Sequence, residues 1–152
     1  MMTTTDVVQR KAGIRETFRR HGYFFREVAM LTIAVGFCLH LFRVIFGDDL
    51  TLQYVVTPLQ DVLLLFPMTY AAITGILGYR RMRFMNRFHK AFITAAIAYI
   101  TVSVPLHLYV LLVLQDVSFY VHMAGYWFSY LLLVAVYPLF ITMLWKLKFE
   151  ER

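Results

Sequence analysis

The chain has a single cysteine, Cys38, in 152 residues. One thiol closes no intrachain disulfide and builds no thiolate cluster, so Cys38 reads as a packing residue in an apolar run. Acidic residues are also scarce, 9 against 15 Lys and Arg. No glutamate sits deep in an apolar run, and no His-x-x-His or Glu-x-x-His spacing occurs among the 5 histidines. That removes the usual paired-ligand signature of a metal site. A glycine-rich phosphate loop, a Gly-x-Ser-x-Gly elbow and the kinase set are all missing, so no soluble chemistry is visible. "HGYFF" and "RFHKAF" match no catalytic motif. A small-x-small cleavage site is also lacking, and the first apolar run is too long for a signal-peptide core, so no cleavable leader is expected.

Apolar side chains are what the sequence has in abundance. They make up 61% of residues, and aromatics 17%, with 14 Phe, 10 Tyr and 2 Trp. Mean hydropathy is +0.65. Soluble domains run at about 45–50% apolar, and a single domain of this length has too little interior to hide the excess. A bilayer removes the need to hide it. Four runs have the roughly 20 residues that cross a hydrocarbon layer: about 28–46, 52–79, 91–114 and 122–145. In lipid every backbone polar group must be bonded internally, and no alternating pattern supports a barrel, so these are expected to be helices. The second run is long and contains Pro58 and Pro67, which favour a tilt or a kink. Short links, "GDDLT", "YRRMRFMNRFHK" and "QDVSFYV", predict antiparallel neighbours. The expected fold is one all-α membrane domain over 1–152, a four-helix up-down bundle.

The formal net charge of +6 is segregated rather than spread. Arg10, Lys11, Arg15, Arg19, Arg20 and Arg26 precede the first run. Arg80, Arg81, Arg83, Arg87 and Lys90 fill the middle link, and Lys146, Lys148 and Arg152 the tail. The first and third links carry no base and hold Asp48, Asp49 and Asp116 instead. The positive-inside rule then puts both termini and the middle link in the cytoplasm. The expected location is a multi-pass place in a bacterial inner or plasma membrane. The basic charge thus reads as a topology signal and not as a nucleic-acid surface. Within residues 1–25, Val7, Lys11, Ile14 and Phe18 fall at helical spacing, which suits an amphipathic segment on the inner leaflet.

Small residues suggest where helices touch. Ala71 with Gly75, Ala91 with Ala95 and Thr94 with Ala98 form small-xxx-small pairs that predict close contact of the second and third helices. Tyr126, Tyr130, Leu133 and Tyr137 make a stripe on the fourth, expected to pack or to anchor at the interface.

Ionisable groups inside a membrane are functional candidates by default. At 1.5 Å per residue, His40 lies about 12 Å and His107 about 13–14 Å below the outer rim. Asp61 lies about 18 Å down if the second run is helical throughout. Arg43 is close enough to that rim to snorkel and mark the boundary. Four polar side chains on three helices thus converge on the outer half. One reading makes His40 and His107 the axial ligands of a b-type haem, with Asp61 or Arg43 meeting a propionate or a quinol. A second makes Asp61, His40 and His107 a proton or quinone site without haem. A third makes the cluster structural, in an accessory, assembly or transport protein. His21 and His89, set among arginines, are expected to face lipid, and His122 to cap the fourth helix or add an outer ligand. The function expected is a small membrane subunit of a redox complex. Its partners would be the lipid bilayer and other membrane subunits or further copies of itself.

Overall fold

The computed structural model describes residues 21–150, and the amphipathic segment expected over 1–25 lies mostly outside the described residues. The chain is almost wholly helical. A 3-10 turn, His21–Phe24, leads into α1, Phe25–Tyr54. Helix α2 spans Pro58–Gly78 and ends in a 3-10 turn, Tyr79–Arg81, followed by strand β1, Met82–Arg83. Helix α3 spans Arg87–Tyr109 and continues as a π turn, Val110–Leu114. The short α4, Phe119–Met123, precedes α5, Tyr126–Leu131, which runs through a π turn, Leu132–Val136, into α6, Tyr137–Trp145. Strand β2, Lys148–Phe149, pairs antiparallel with β1.

Four helical stretches are long and apolar enough to cross a membrane: His21–Tyr54, Pro58–Arg81, Arg87–Leu114 and Tyr126–Trp145. α1 packs on α2 and on α5 and α6, and α3 packs on α2 and α6. Each long helix therefore has two neighbours, and α1 and α3 lie across the bundle from each other. Phe25, Ala29 and Ile33 of α1 meet Met68 and Ala71 of α2, Ile93 and Ala96 of α3, and Tyr137, Phe140 and Leu144 of α6 in one core. The outer faces stay apolar: Phe66 and Leu112 are 70% exposed, Trp145 72% and Val134 77%. Water would penalise each of these, whereas hydrocarbon would not. Cys38 is also exposed on that outer surface rather than packed inside.

The first connection falls later than "GDDLT". Helix α1 bends at Gly47 (φ 85, ψ 176) and resumes as far as Tyr54. The chain turns at Val55 and Val56, because Thr57 caps α2: its hydroxyl accepts from Gln60 N while the Gln60 side chain accepts from Thr57 N. With Pro58 at the first helical position, this capping box starts α2 six residues later than the apolar run suggested. The expected fourth span is also interrupted. Ala124 and Gly125 separate α4 from α5, so His122 lies exposed outside the spanning helix.

The small-residue pairs divide between inside and outside. Ala71 is fully buried, and a methyl on Gly75 would stand 2.8 Å from the Phe25 ring and 3.2 Å from Ile97. α2 thus uses its pair for close approach, to Phe25 of α1 first and then to Ile97 of α3, the helix that was expected to meet it. On α3 the buried face is Ile93, Ala96, Ile97 and Ile100, while Ala91, Thr94, Ala95 and Ala98 are exposed. The tyrosine stripe also splits: Tyr137 is buried and Tyr130 is 49% exposed. The intervening π turn adds backbone without adding a full helical turn, so the two tyrosines fall on different faces.

At the end holding the middle link, β1–β2 pairing sets Met82 against Phe149 and Arg83 against Lys148. Gly22 and Gly78 let the chain entering α1 press on the end of α2, since a methyl on either would come within 2.8 Å of the other's Cα. His89 is 1% exposed, a correction to its expected place facing lipid. Its Nδ1 accepts from Met85 N at 3.1 Å, so Nε2 carries the hydrogen and donates to Met143 O at 2.9 Å. His21, also expected to face lipid, is half-buried with Nδ1 3.3 Å from the Tyr70 hydroxyl.

Candidate functional site

Two polar groups lie at the opposite end of the bundle, on either side of α4. The first joins Asp61, His107 and Tyr120. Asp61 is buried and occupies the first turn of α2, where the positive end of the helix dipole favours a carboxylate. Its Oδ1 is hydrogen-bonded to His107 Nδ1, and its Oδ2 accepts from the Tyr120 hydroxyl at 2.8 Å. The rings of His107 and Tyr120 lie 4.9 Å apart. Burial, then the bond to the Asp61 carboxylate and its charge, push the Tyr120 phenol well above the ordinary tyrosine value. Tyr120 therefore stays a donor. With Nδ1 engaged, His107 has Nε2 left without a partner among the described residues.

The second group centres on Arg43, which is 4% exposed. Its Nε donates to Asp48 Oδ1 at 2.7 Å and its Nη1 to Ser129 Oγ at 3.2 Å. Its Nη2 reaches the carbonyls of Val121 (3.0 Å) and Ala124 (3.1 Å) at the end of α4. Those are carbonyls that a five-residue helix cannot bond for itself. The guanidinium carbon lies 5.4 Å from the Tyr126 ring centroid. The bend at Gly47 makes this possible by turning Asp48 back toward a side chain five residues earlier. The Tyr126 hydroxyl donates to the carbonyls of Arg43 (2.5 Å) and Val44 (3.2 Å), in the turn just before that bend. Arg43 is therefore a buried clamp tying α1 to α4 and α5, where the sequence suggested a side chain snorkelling to the rim.

His40 joins this second group. Its Nδ1 lies 3.0 Å from Ser129 Oγ, and its ring is near those of Phe128 and Tyr137. Arg43 donates to the same Oγ, so the serine's own hydrogen is available for His40 Nδ1. Tyr137 in turn meets the Tyr99 hydroxyl at 3.0 Å.

Of the four candidates, Asp61 meets His107, and His40 meets Arg43 through Ser129. Among the described residues no hydrogen bond or ring contact links His40 to His107 or Asp61 to Arg43. The depth assigned to Asp61 was too great, because the late start of α2 puts it one turn from the helix end. Tyr120 and Ser129 are site residues that sequence reasoning missed. Tyr120 sat in a link read as a loop, and Ser129 looked like a small polar residue in an apolar helix. Among the described residues no group of three His, Cys, Asp or Glu side chains is placed to hold a metal ion.

No protein-family model, curated protein or solved structure matches the chain. The fold and the site define a class by themselves: a helical protein with four helices fit to cross a membrane and two hydrogen-bonded polar groups at one end of the bundle.

Proposed function

We propose that the chain is a multi-pass protein of a bacterial inner membrane, an up-down bundle with both termini cytoplasmic. It serves a membrane redox complex as a small subunit, and its Asp61–His107–Tyr120 group takes a hydroxyl of a quinol at the outer end. Charge supports the orientation. All described Lys and Arg residues except Arg43 cluster toward the β1–β2 end, and Asp48, Asp49 and Asp116 toward the other.

The observation that carries the site is an imidazole oriented by a carboxylate, with Nε2 left over. In such a pair the carboxylate fixes the ring and steadies the imidazolium that forms when Nε2 accepts a proton. A quinol hydroxyl offers that proton, and Tyr120 supplies a neighbouring donor for the ligand oxygen or the carboxylate. Binding of a short-chain quinol analogue to the purified protein tests this. His107→Gln and Asp61→Asn should each weaken binding by tenfold or more, with the fold retained. Unchanged affinity in both variants would sink the proposal. Haem b on His40 and His107 is the related but weaker form of the reading: His107 donates from Nδ1 and leaves an Nε2 lone pair, whereas His40 accepts from Ser129 at Nδ1 and so carries its hydrogen on Nε2, a usual ligating atom. A Soret band in the purified protein would select it.

A second reading has its own observation. The Arg43 group is satisfied internally, by a carboxylate, a hydroxyl and two carbonyls. That favours a structural role for this half of the cluster, as in a non-redox accessory, assembly or transport protein.

A further inference from the structure

The cationic end of the bundle has a feature that packing alone does not explain. Strand pairing sets Arg83 directly across from Lys148, two like charges on one face of a two-residue ladder. Such a pair is unfavourable unless something negative sits between or beside it. Glu150 offers one carboxylate, 3.6 Å from Arg83 Nε, with the arginine 69% exposed. Over residues 79–90 and 146–150 the chain places seven Lys and Arg against that one Glu. Arg87, Lys146 and Lys148 are exposed and have no acidic partner among the described residues.

The surface is also tied to the bundle by hydrogen bonds. Glu150 N donates to Arg81 O at 2.9 Å, and Arg26 Nη1 donates to Leu147 O at 3.3 Å. The buried His89 ties Met85 to Met143, fixing the middle link against the end of α6. These charges are therefore held together rather than waving on a loose loop.

Large apolar side chains adjoin them in sequence and stay exposed: Met85 at 58%, Phe88 at 59% and Trp145 at 72%. Cations beside outward apolar groups, at the end of helices fit to cross a bilayer, match the boundary between headgroup and acyl chain. A free phosphate would use only the charges.

We propose that the β1–β2 end is a binding site for the headgroup of an acidic phospholipid, seated on Arg83, Lys148 and Arg87, with its chains along Phe88 and Trp145. The inference is independent of the quinol reading, which concerns the other end of the bundle.

The test uses the purified full chain in a zwitterionic detergent. It is titrated with phosphatidylglycerol, phosphatidylcholine or inorganic phosphate, reading retained lipid by native mass spectrometry and thermal stability in parallel. Phosphatidylglycerol should be retained and should raise the melting temperature. Arg83→Gln, Lys148→Gln and Arg87→Gln should each lower its affinity, about fivefold per charge removed. Arg87→Lys should retain most of it. All three positions are exposed, so the single variants should fold and remain informative. Equal retention of phosphatidylcholine, an equal shift with phosphate alone, or full retention in the three Gln variants would overturn the proposal.

Discussion

The Tyr120 hydroxyl donates to Asp61 Oδ2 at 2.8 Å, joining α4 to the first turn of α2. The bond pins a five-residue helix, too short to hold itself, onto one of the long helices. A bond to a charged acceptor is worth about 1.5–3 kcal/mol, so Tyr120→Phe and Asp61→Asn should each lower stability by amounts in that range. The two changes share one contact, and their sum should exceed the effect of the double variant. Strict additivity in thermal melts would show that the contact is not made in solution.

The same bond predicts an alkaline limit. Folding raises the Tyr120 phenol above its ordinary value of 10.0, first by burial and then through Asp61. The folded protein then keeps a proton that the unfolded chain releases, so the contribution is complete below about pH 10 and is lost as pH rises beyond it. Melting curves from pH 9 to 11 should show a steeper loss for the native protein than for Tyr120→Phe. Parallel curves would remove the linkage.

Arg43 distinguishes an anchor from a clamp. A side chain that merely snorkels to the rim would be replaced well by lysine. The planar fork observed here reaches Asp48, Ser129 and two carbonyls in different directions, and a point-charge ammonium cannot do the same. Arg43→Lys should therefore destabilise clearly, and Arg43→Ala by more: Asp48 is exposed enough to be rehydrated, but the Val121 and Ala124 carbonyls lose their donor, at about 1–3 kcal/mol for each one left buried and unpaired. Faster hydrogen exchange at the α4–α5 junction should accompany the loss. Native stability in Arg43→Lys would return the residue to the role of a boundary anchor.

Much of this was legible because lipid-facing helices declare themselves by length and composition. The four apolar stretches and the buried Ala71–Gly75 face could be read directly. The helix ends were less so. The run through "LTLQYVVTP" is apolar enough to hide a turn, and only the Thr57–Gln60 capping box and Pro58 mark it. Missing that turn misjudged the depth of Asp61. Rotation about each helix axis was beyond reach, since periodicity is weak when most faces are apolar. His89 looked like one more group among exposed arginines, yet its ring faces inward to bond two backbone segments. Arg43 stood out as a charge in an apolar run, but its partners come from positions 121–129, which no local pattern connects to it.

Two glycines separate backbone strain from crowding. Gly47 adopts φ 85, and a methyl there would meet nothing within 4 Å. Gly47→Ala should therefore cost only backbone strain, about 1–3 kcal/mol for a region that glycine alone visits freely, and should loosen the Arg43–Asp48 contact that the bend creates. Gly47→Asn should recover nothing, because asparagine favours the compact left-handed helical conformation and not the extended one that Gly47 adopts. Gly78 is the opposite case. Its φ is −83, comfortable for any residue, but its methyl would lie 2.8 Å from the Cα of Gly22. Backbone cannot swing aside as a side chain does, so Gly78→Ala should force the His21–Phe24 turn away from α2 at about 1–3 kcal/mol. Gly78→Asn should be worse than alanine rather than better. Thermal melts of the four variants read the contrast: alanine and asparagine should cost about the same at Gly47 and differ at Gly78, so dependence on side-chain size at both sites, or at neither, would contradict the separation of strain at Gly47 from contact at Gly78.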